Sequence, residues 1–260
     1  MRKRKDVNVY LFDPTRKYFH IMIELENVPG ALKGVLTVMS GLGLNILGSF
    51  TSVDSAAKEG VWSGFVEDSD HTAQELRRRL VGSEAVRDVM VVESNKGFLV
   101  DSLHFPVAFN TGTRAVMMSA ASLAGMLSAV NMRFGTGGNV ILYEEGAAYG
   151  SEVGREYMQK LDADFVASNI GDVVMLYQAL GWFRVDGVRV DQKDGSVVIS
   201  AGESFECSGY KSRAPRSHFV RGHLAGALSE LLGRPMACTE TLCIAMGDKT
   251  CEFTLTPKAA

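Results

Sequence analysis

YFHIMIELENVPGAL, residues 18–32, changes its period part-way along. YFHIMIEL (18–25) alternates and is rich in large apolar residues, as a strand should be. It runs straight into ENVPGAL (26–32), where Asn27 can cap a helix and Pro29 suits a first turn. Leu32, Val35, Leu36 and Met39 then recur at helical spacing. GLGLNI (41–46) ends that helix with glycine and leads into a second strand, LGSFTSV (47–53). A loop containing Lys58, Glu59 and Gly60 precedes a third strand, VWSGFVE (61–67). TAQELRRRLVG (72–82) has helix formers and a terminal glycine, and VRDVMVVES (86–94) closes the unit as a fourth strand. Strand, helix, strand, strand, helix, strand is the split βαβ, ferredoxin-like order.

The NxPGxL pattern at 27–32, followed by the Asn45-Ile46 pair, resembles the ACT domain, a small regulatory module that pairs with another copy and binds amino acids at the interface. The resemblance covers about the first third of the chain. It implies a homodimer, with an amino-acid site at Asn27, Val28, Pro29, Gly30, Ala31 and Leu32 on the ligand-proximal turn and at Asn45 and Ile46 on the segment facing it. Asn27 stands where the family has Asp, so a contact to an amino group there loses its charge. The plainer reading makes Asn27 a helix cap and the domain a dimerisation unit only.

NKGFLVDSLHFPVAFNTG (95–112) carries Gly, Pro and Asn and reads as a connection, which divides the chain into domains at 1–97 and 98–260. RAVMMSAASLAGMLSAVNMRFG (114–135) is expected to be one long helix, broken by GTGGN (135–139), with VILYEEG (140–146) a short strand. SEVGREYMQKLDA (151–163) and IGDVVMLYQALGW (170–182) read as helices. FRVDGVRV, GSVVISAGESFEC and a C-terminal strand suggest an antiparallel sheet with Asp-Gly turns. SHFVRGHLAGALSELLGRP (217–235) is a helix with Val220, Leu224, Leu228 and Leu231 on one face, stopped by Gly233 and Pro235. The fold class expected is α+β, a ferredoxin-like first domain followed by a mixed α/β one.

CTETLCIAMGDKTCEF (238–253) holds three of the four cysteines in the chain. Cys243 and Cys251 are eight residues apart around Met246, Gly247 and Asp248, a spacing that a β-hairpin can close with both sulfurs on one side. Those residues alone leave open a metal such as zinc, a Cys243–Cys251 disulfide and buried free thiols.

ESFEC (203–207), GHLAGALSELLGRP (222–235) and ETLCIAMGDKTC (240–251) together resemble the 4-vinyl-reductase domain, a mixed α/β module related in fold to certain vesicle-tethering subunits. That family includes the ligand-sensing part of phenol-responsive bacterial activators and a protein of bacteriochlorophyll biosynthesis. The resemblance implies zinc on Glu240, Cys243 and Cys251, since Glu-x-x-Cys-x7-Cys supplies three ligands in the aromatic-sensing relatives. Their fourth ligand falls at Ser217. Cys207, Cys238 and His218 are the available substitutes, and Cys207 is preferred because the strand carrying it should run near the start of the helix at 217. His218 and His223 point in different directions on that helix.

Methionine lines adaptable pockets, and the aromatics near this Met-rich helix suggest an apolar cavity. Its expected lining is Met118, Met126, Tyr143, Tyr157, Trp182 and Phe183, taking a small apolar or aromatic ligand. GTGGN follows a helix and lacks the phosphate-loop order. With 27 basic and 30 acidic residues and a net charge of -3, neither half presents a nucleic-acid surface. No segment has the roughly 18 uninterrupted apolar residues of a membrane span. A cytoplasmic, non-catalytic sensor acting through a partner protein is therefore expected, and a carrier or accessory enzyme of tetrapyrrole metabolism, implied by one branch of the resembled family, is the alternative.

Overall fold

The computed structural model describes residues 3–53, 57–109 and 112–258, and its backbone divides into two units, Met1–Val116 and Met117–Ala260. Met1 and Arg2 of the basic opening, and Asn110 and Thr111 of the 95–112 connection, lie outside the described residues.

The first unit runs β1 (Tyr10–Phe12), β2 (Tyr18–Glu26), α1 (Ala31–Gly41), β3 (Asn45–Val53), β4 (Glu59–Glu67), α2 (Ala73–Val81), β5 (Val86–Glu93) and β6 (Phe98–Val100). Four strands form an antiparallel sheet in the order β3-β4-β2-β5, and β1 pairs with β6. Period-2 alternation turns Phe19, Ile21, Ile23 and Leu25 of β2 to one face, where they pack with Val35 and Met39 of α1 and Leu76 and Leu80 of α2. The opposite face of β2 is also covered, since Tyr18 packs with Phe65 and with Leu99 of β6.

Local chemistry departs from the sequence reading at the first helix. Gly30, at φ 94, is the N-cap of α1, and the helix begins at Ala31, after Pro29. Asn27 caps nothing. Its Nδ2 donates to the Ala57 carbonyl at 2.9 Å, tying the turn to the segment before β4. Glu59 and Gly60 are strand residues of β4 and not loop. The second helix follows its sequence signal closely, with Thr72 and Glu75 forming a reciprocal capping box.

The second unit runs α3 (Ala120–Phe134), α4 (Thr136–Met158), α5 (Ala163–Ser168), α6 (Ile170–Ala179), β7 (Arg184–Val190), β8 (Val197–Gly202), α7 (His218–Leu231), β9 (Met236–Leu242) and β10 (Cys251–Pro257). Its antiparallel sheet has the order β7-β8-β10-β9. Gly135, at φ 55, separates α3 from α4, but the expected strand at 140–146 is helix. The reason is packing. A Cβ at Gly146 or Gly150 would strike the Phe219 or His223 carbonyl, and one at Gly222 or Gly226 would strike the Tyr143 or Ala147 carbonyl. Glycines four apart on both helices let the α4 and α7 backbones touch, so tertiary contact overrides the β-branched run.

Two further expectations are corrected. Of the two Asp-Gly pairs, Asp194-Gly195 does lie in the turn between β7 and β8, where the Gly195 amide donates to the Asp191 carbonyl at 2.8 Å, but Asp186-Gly187 makes no turn and sits at a register shift inside β7. ESFEC is not strand either. β8 ends at Gly202, Glu203 takes a positive φ of 54, and the chain coils tightly, with Cys207 and Ser208 amides donating to the Ser204 carbonyl. Helix α7 buries Val220, Leu224, Leu228 and Leu231 together, as its spacing implies. No helix among the described residues is long and apolar enough to cross a membrane.

Candidate metal centre and aromatic cluster

Cys207, Glu240, Cys243 and Cys251 are all buried, and one ligand atom from each lies within 4.8 Å of the others. The coil after β8 supplies Cys207. Glu240 comes from β9, Cys243 directly follows that strand, and Cys251 opens β10. Between the two sulfurs, Ile244–Met246 form a short 3-10 turn and Gly247 sits at φ 106. Asp248 Oδ2 accepts the Cys243 amide at 2.8 Å, and Cys251 Sγ accepts the Ile244 amide at 3.4 Å. The hairpin is thus closed by its own polar groups, with both thiols turned to one side.

All four cysteines are free, which removes the Cys243–Cys251 disulfide. Cys207 Sγ lies 3.5 Å from Cys243 Sγ and 3.8 Å from Glu240 Oε1. Ser217 stands in the same group. Its hydroxyl donates to Glu240 Oε1 at 2.8 Å and is 2.9 Å from Cys207 Sγ, and its amide donates to Glu240 Oε2 at 2.9 Å. Of the three substitutes considered for the fourth position, only Cys207 joins the cluster. Cys238 Sγ turns to the Thr239 carbonyl, and His218 Nδ1 pairs with Arg221.

Burial pushes the Glu240 carboxyl up to about 7, against the Ser217 hydrogen bonds, which favour its ionised form. Thiols crowded together share one charge: hydrogen bonds from Cys207 and Cys251 hold Cys243 far below the ordinary thiol range, and the bond to Cys243 drives Cys207 far above it. Three thiols and a carboxyl crowded together out of solvent are a set that a divalent cation suits, because it binds their deprotonated forms together. The cluster can hold a metal ion.

An aromatic cluster occupies the same unit. The His223 ring of α7 lies 4.5 Å from Trp182, 5.0 Å from Tyr149 and 5.4 Å from Tyr177. Trp182 also meets Phe205 and Phe219 edge-on and stacked, and Tyr177 stacks on Phe183 at 5.2 Å. His223 is 2 % exposed, its Nδ1 is buried without a hydrogen-bond partner, and burial alone pushes its pKa down to about 3. Trp182 and Phe183 of the expected pocket are therefore placed among aromatics. Tyr143 and Tyr157 pack partly buried against the same core. Met118 and Met126 stand apart, both more than half exposed, with Met118 ahead of α3.

Sequence reasoning missed Glu206, whose buried carboxylate accepts the Phe219 and Val220 amides in the first turn of α7, and it set His223 aside. A signal existed for the second: Phe219 and His223 are four apart on one helix and share a face.

In the first unit the expected amino-acid residues do not converge. Glu26, just before the 27–32 turn, is opposite Glu59, whereas Asn45 and Tyr18 are both opposite Glu67. The turn and the Asn45-Ile46 pair thus lie at opposite ends of the sheet, roughly 26 Å apart at about 3.3 Å per strand residue. Asn45 Nδ2 donates to Glu67 Oε2.

Residues 197–257 match the V4R domain family. A V4R domain thus occupies the C-terminal region, and it contains all four residues of the Cys/Glu cluster. No curated protein matches the chain. Among solved structures, the phenol-responsive sensory domain of the transcription activator PoxR with phenol is 18 % identical, with 58 % of this chain and 83 % of that chain covered at a TM-score of 0.46. A trafficking protein particle complex subunit 3 from Naegleria fowleri, covalently bound to palmitic acid, is also 18 % identical (54 % and 95 % covered, TM-score 0.44). A vinyl-4-reductase family protein from Methanocaldococcus jannaschii is 18 % identical (56 % and 99 % covered, TM-score 0.36). At these TM-scores the likenesses carry no assignment of function.

Proposed function

We propose that the second unit is a ligand-sensing module for a small aromatic molecule, clamped by a structural zinc on Cys207, Glu240, Cys243 and Cys251. The observation that carries the reading is the buried, unpartnered Nδ1 of His223 among Trp182, Tyr149 and Tyr177. A buried polar atom without a partner costs about 1–3 kcal/mol. A phenol-like guest answers it with a hydroxyl while its ring stacks on the aromatics. Three thiols and a carboxylate suit zinc in a closed structural site.

Thermal shift of the full chain against phenol and indole tests this. Stabilisation should follow the mass-action relation and should be lost in both Trp182→Ala and His223→Phe. Absence of any shift would count against the reading, and a porphyrin absorption band in the purified protein would replace it with tetrapyrrole binding. Signal output then passes to a regulatory partner protein.

For the first unit we propose an ACT-like module that forms a homodimer through β3. This edge strand exposes Leu47, Phe50 and Val53, each at least 41 % exposed, a surface that invites strand pairing. A second copy is also what an amino-acid site built from both 27–32 and Asn45-Ile46 requires, since one copy keeps them apart. Light scattering on the full chain should give twice the chain mass, and Phe50→Lys should lower it to that of one chain.

A further inference from the structure

We propose that the first unit holds a second metal site, built from His20, Asp101 and His104 and taking a divalent transition-metal ion of the zinc or cobalt type. One donor atom from each of the three lies within 4.8 Å of the others. Donors bound to one such ion at about 2.0–2.2 Å sit roughly 3.5 Å apart, so the set closes with a movement of about an ångström.

The residues are held as ligands are. His20, on β2, is 1 % exposed; Ser63 Oγ engages its Nε2 at 2.9 Å and Phe65 stacks on its ring at 4.5 Å. Its Nδ1 is left buried with no hydrogen-bond partner, 3.6 Å from Asp101 Oδ1. Asp101 is aimed in turn by the amides of Leu103 and His104, which donate to Oδ1 at 3.1 and 3.2 Å. His104 Nδ1 is 2.9 Å from both carboxylate oxygens, its Nε2 is buried without a partner, and Phe50 meets its ring edge-on at 4.9 Å. A buried imidazole nitrogen without a partner beside a carboxylate, as at His20 Nδ1, is costly as it stands, and outer hydrogen bonds that fix ring and carboxylate orientation are the usual support of a metal site.

Two imidazoles and one carboxylate select a transition metal over calcium or magnesium, which prefer all-oxygen shells. The ligands come from β2 and from the turn after β6, so the ion ties that turn to the sheet. Three protein ligands leave a coordination position open, and the Asp101 and His104 side chains are 23 % and 21 % exposed, so water or a small anion can reach it.

The test is cobalt(II) titration of the full chain, comparing wild type with His104→Gln and Asp101→Asn. Cobalt on cysteine announces itself by a thiolate charge-transfer band, which cobalt on nitrogen and oxygen lacks, so the two units are read separately and failure of the Cys/Glu reading leaves this one standing. Wild type should bind cobalt at a site showing only ligand-field absorption. Both variants, folded by circular dichroism, should bind there at least tenfold more weakly with any thiolate band unchanged. Wild-type affinity at that site in both variants, or no cobalt binding outside the thiolate band, would overturn the proposal.

Discussion

Ser217 donates twice to Glu240, from its amide to Oε2 at 2.9 Å and from its hydroxyl to Oε1 at 2.8 Å. One residue at the start of α7 thereby fixes the carboxylate of β9 at the edge of the thiol cluster. Ser217 Oγ is also 2.9 Å from Cys207 Sγ, so a sulfur in its place would reach the same group. Ser217→Cys should hold zinc at least tenfold more tightly, because thiolate is the stronger zinc ligand. Competition with a chromogenic chelator measures it.

The contact between α4 and α7 makes a second prediction. At Gly226 a new methyl would meet the Ala147 carbonyl, a backbone atom that cannot swing aside. Gly226→Ala should therefore cost about 3 kcal/mol by forcing the helices apart. Gly125, inside α3, has nothing within 4 Å of where its Cβ would be. Gly125→Ala should instead stabilise by about 0.5–1 kcal/mol through helix propensity. Urea unfolding of the two variants separates steric conflict from backbone entropy.

Acid should weaken the protein through His223. The folded chain keeps this ring neutral down to about pH 3, whereas the unfolded chain protonates it near its ordinary value of 6.5. The unfolded state then binds more protons, so the stability that a neutral His223 contributes is complete above pH 6.5 and falls as pH drops toward 3. His223→Phe removes that dependence. Between pH 7.5 and pH 5 its unfolding free energy should fall less than that of wild type, by about 2 kcal/mol.

Much of the fold was legible because period and punctuation agree in the strands and in α2: β2 alternates, and Thr72 with Glu75 writes a capping box into the sequence. Reading failed where long-range contact decides. VILYEEG has a strand's composition and becomes helix because Gly146 and Gly150 admit the backbone of α7. The pairing of Cys243 with Cys251 is local, a hairpin's spacing, whereas Glu240 joined them only through the resemblance to the 4-vinyl-reductase domain. Cys207 joins them through a coil and not the strand expected, and the pairing of Ser217 with Glu240 across 23 residues has no local signature. For His223 only its face of α7, shared with Phe219, was legible, since its aromatic neighbours Tyr149, Tyr177 and Trp182 come from α4, α6 and the segment before β7.

A zinc ion on the Cys/Glu cluster of the V4R region, as proposed above, would support the fold around the aromatic cluster. Elemental analysis of the tag-free chain, paired with its melting temperature before and after chelation, tests it most directly. The expected result is a zinc ion that is absent from Cys243→Ser and whose removal lowers the melting temperature by several degrees, because metal binding contributes folding free energy. A chain that carries the same zinc after Cys243→Ser, or that is metal-free and melts unchanged in chelator, would contradict it.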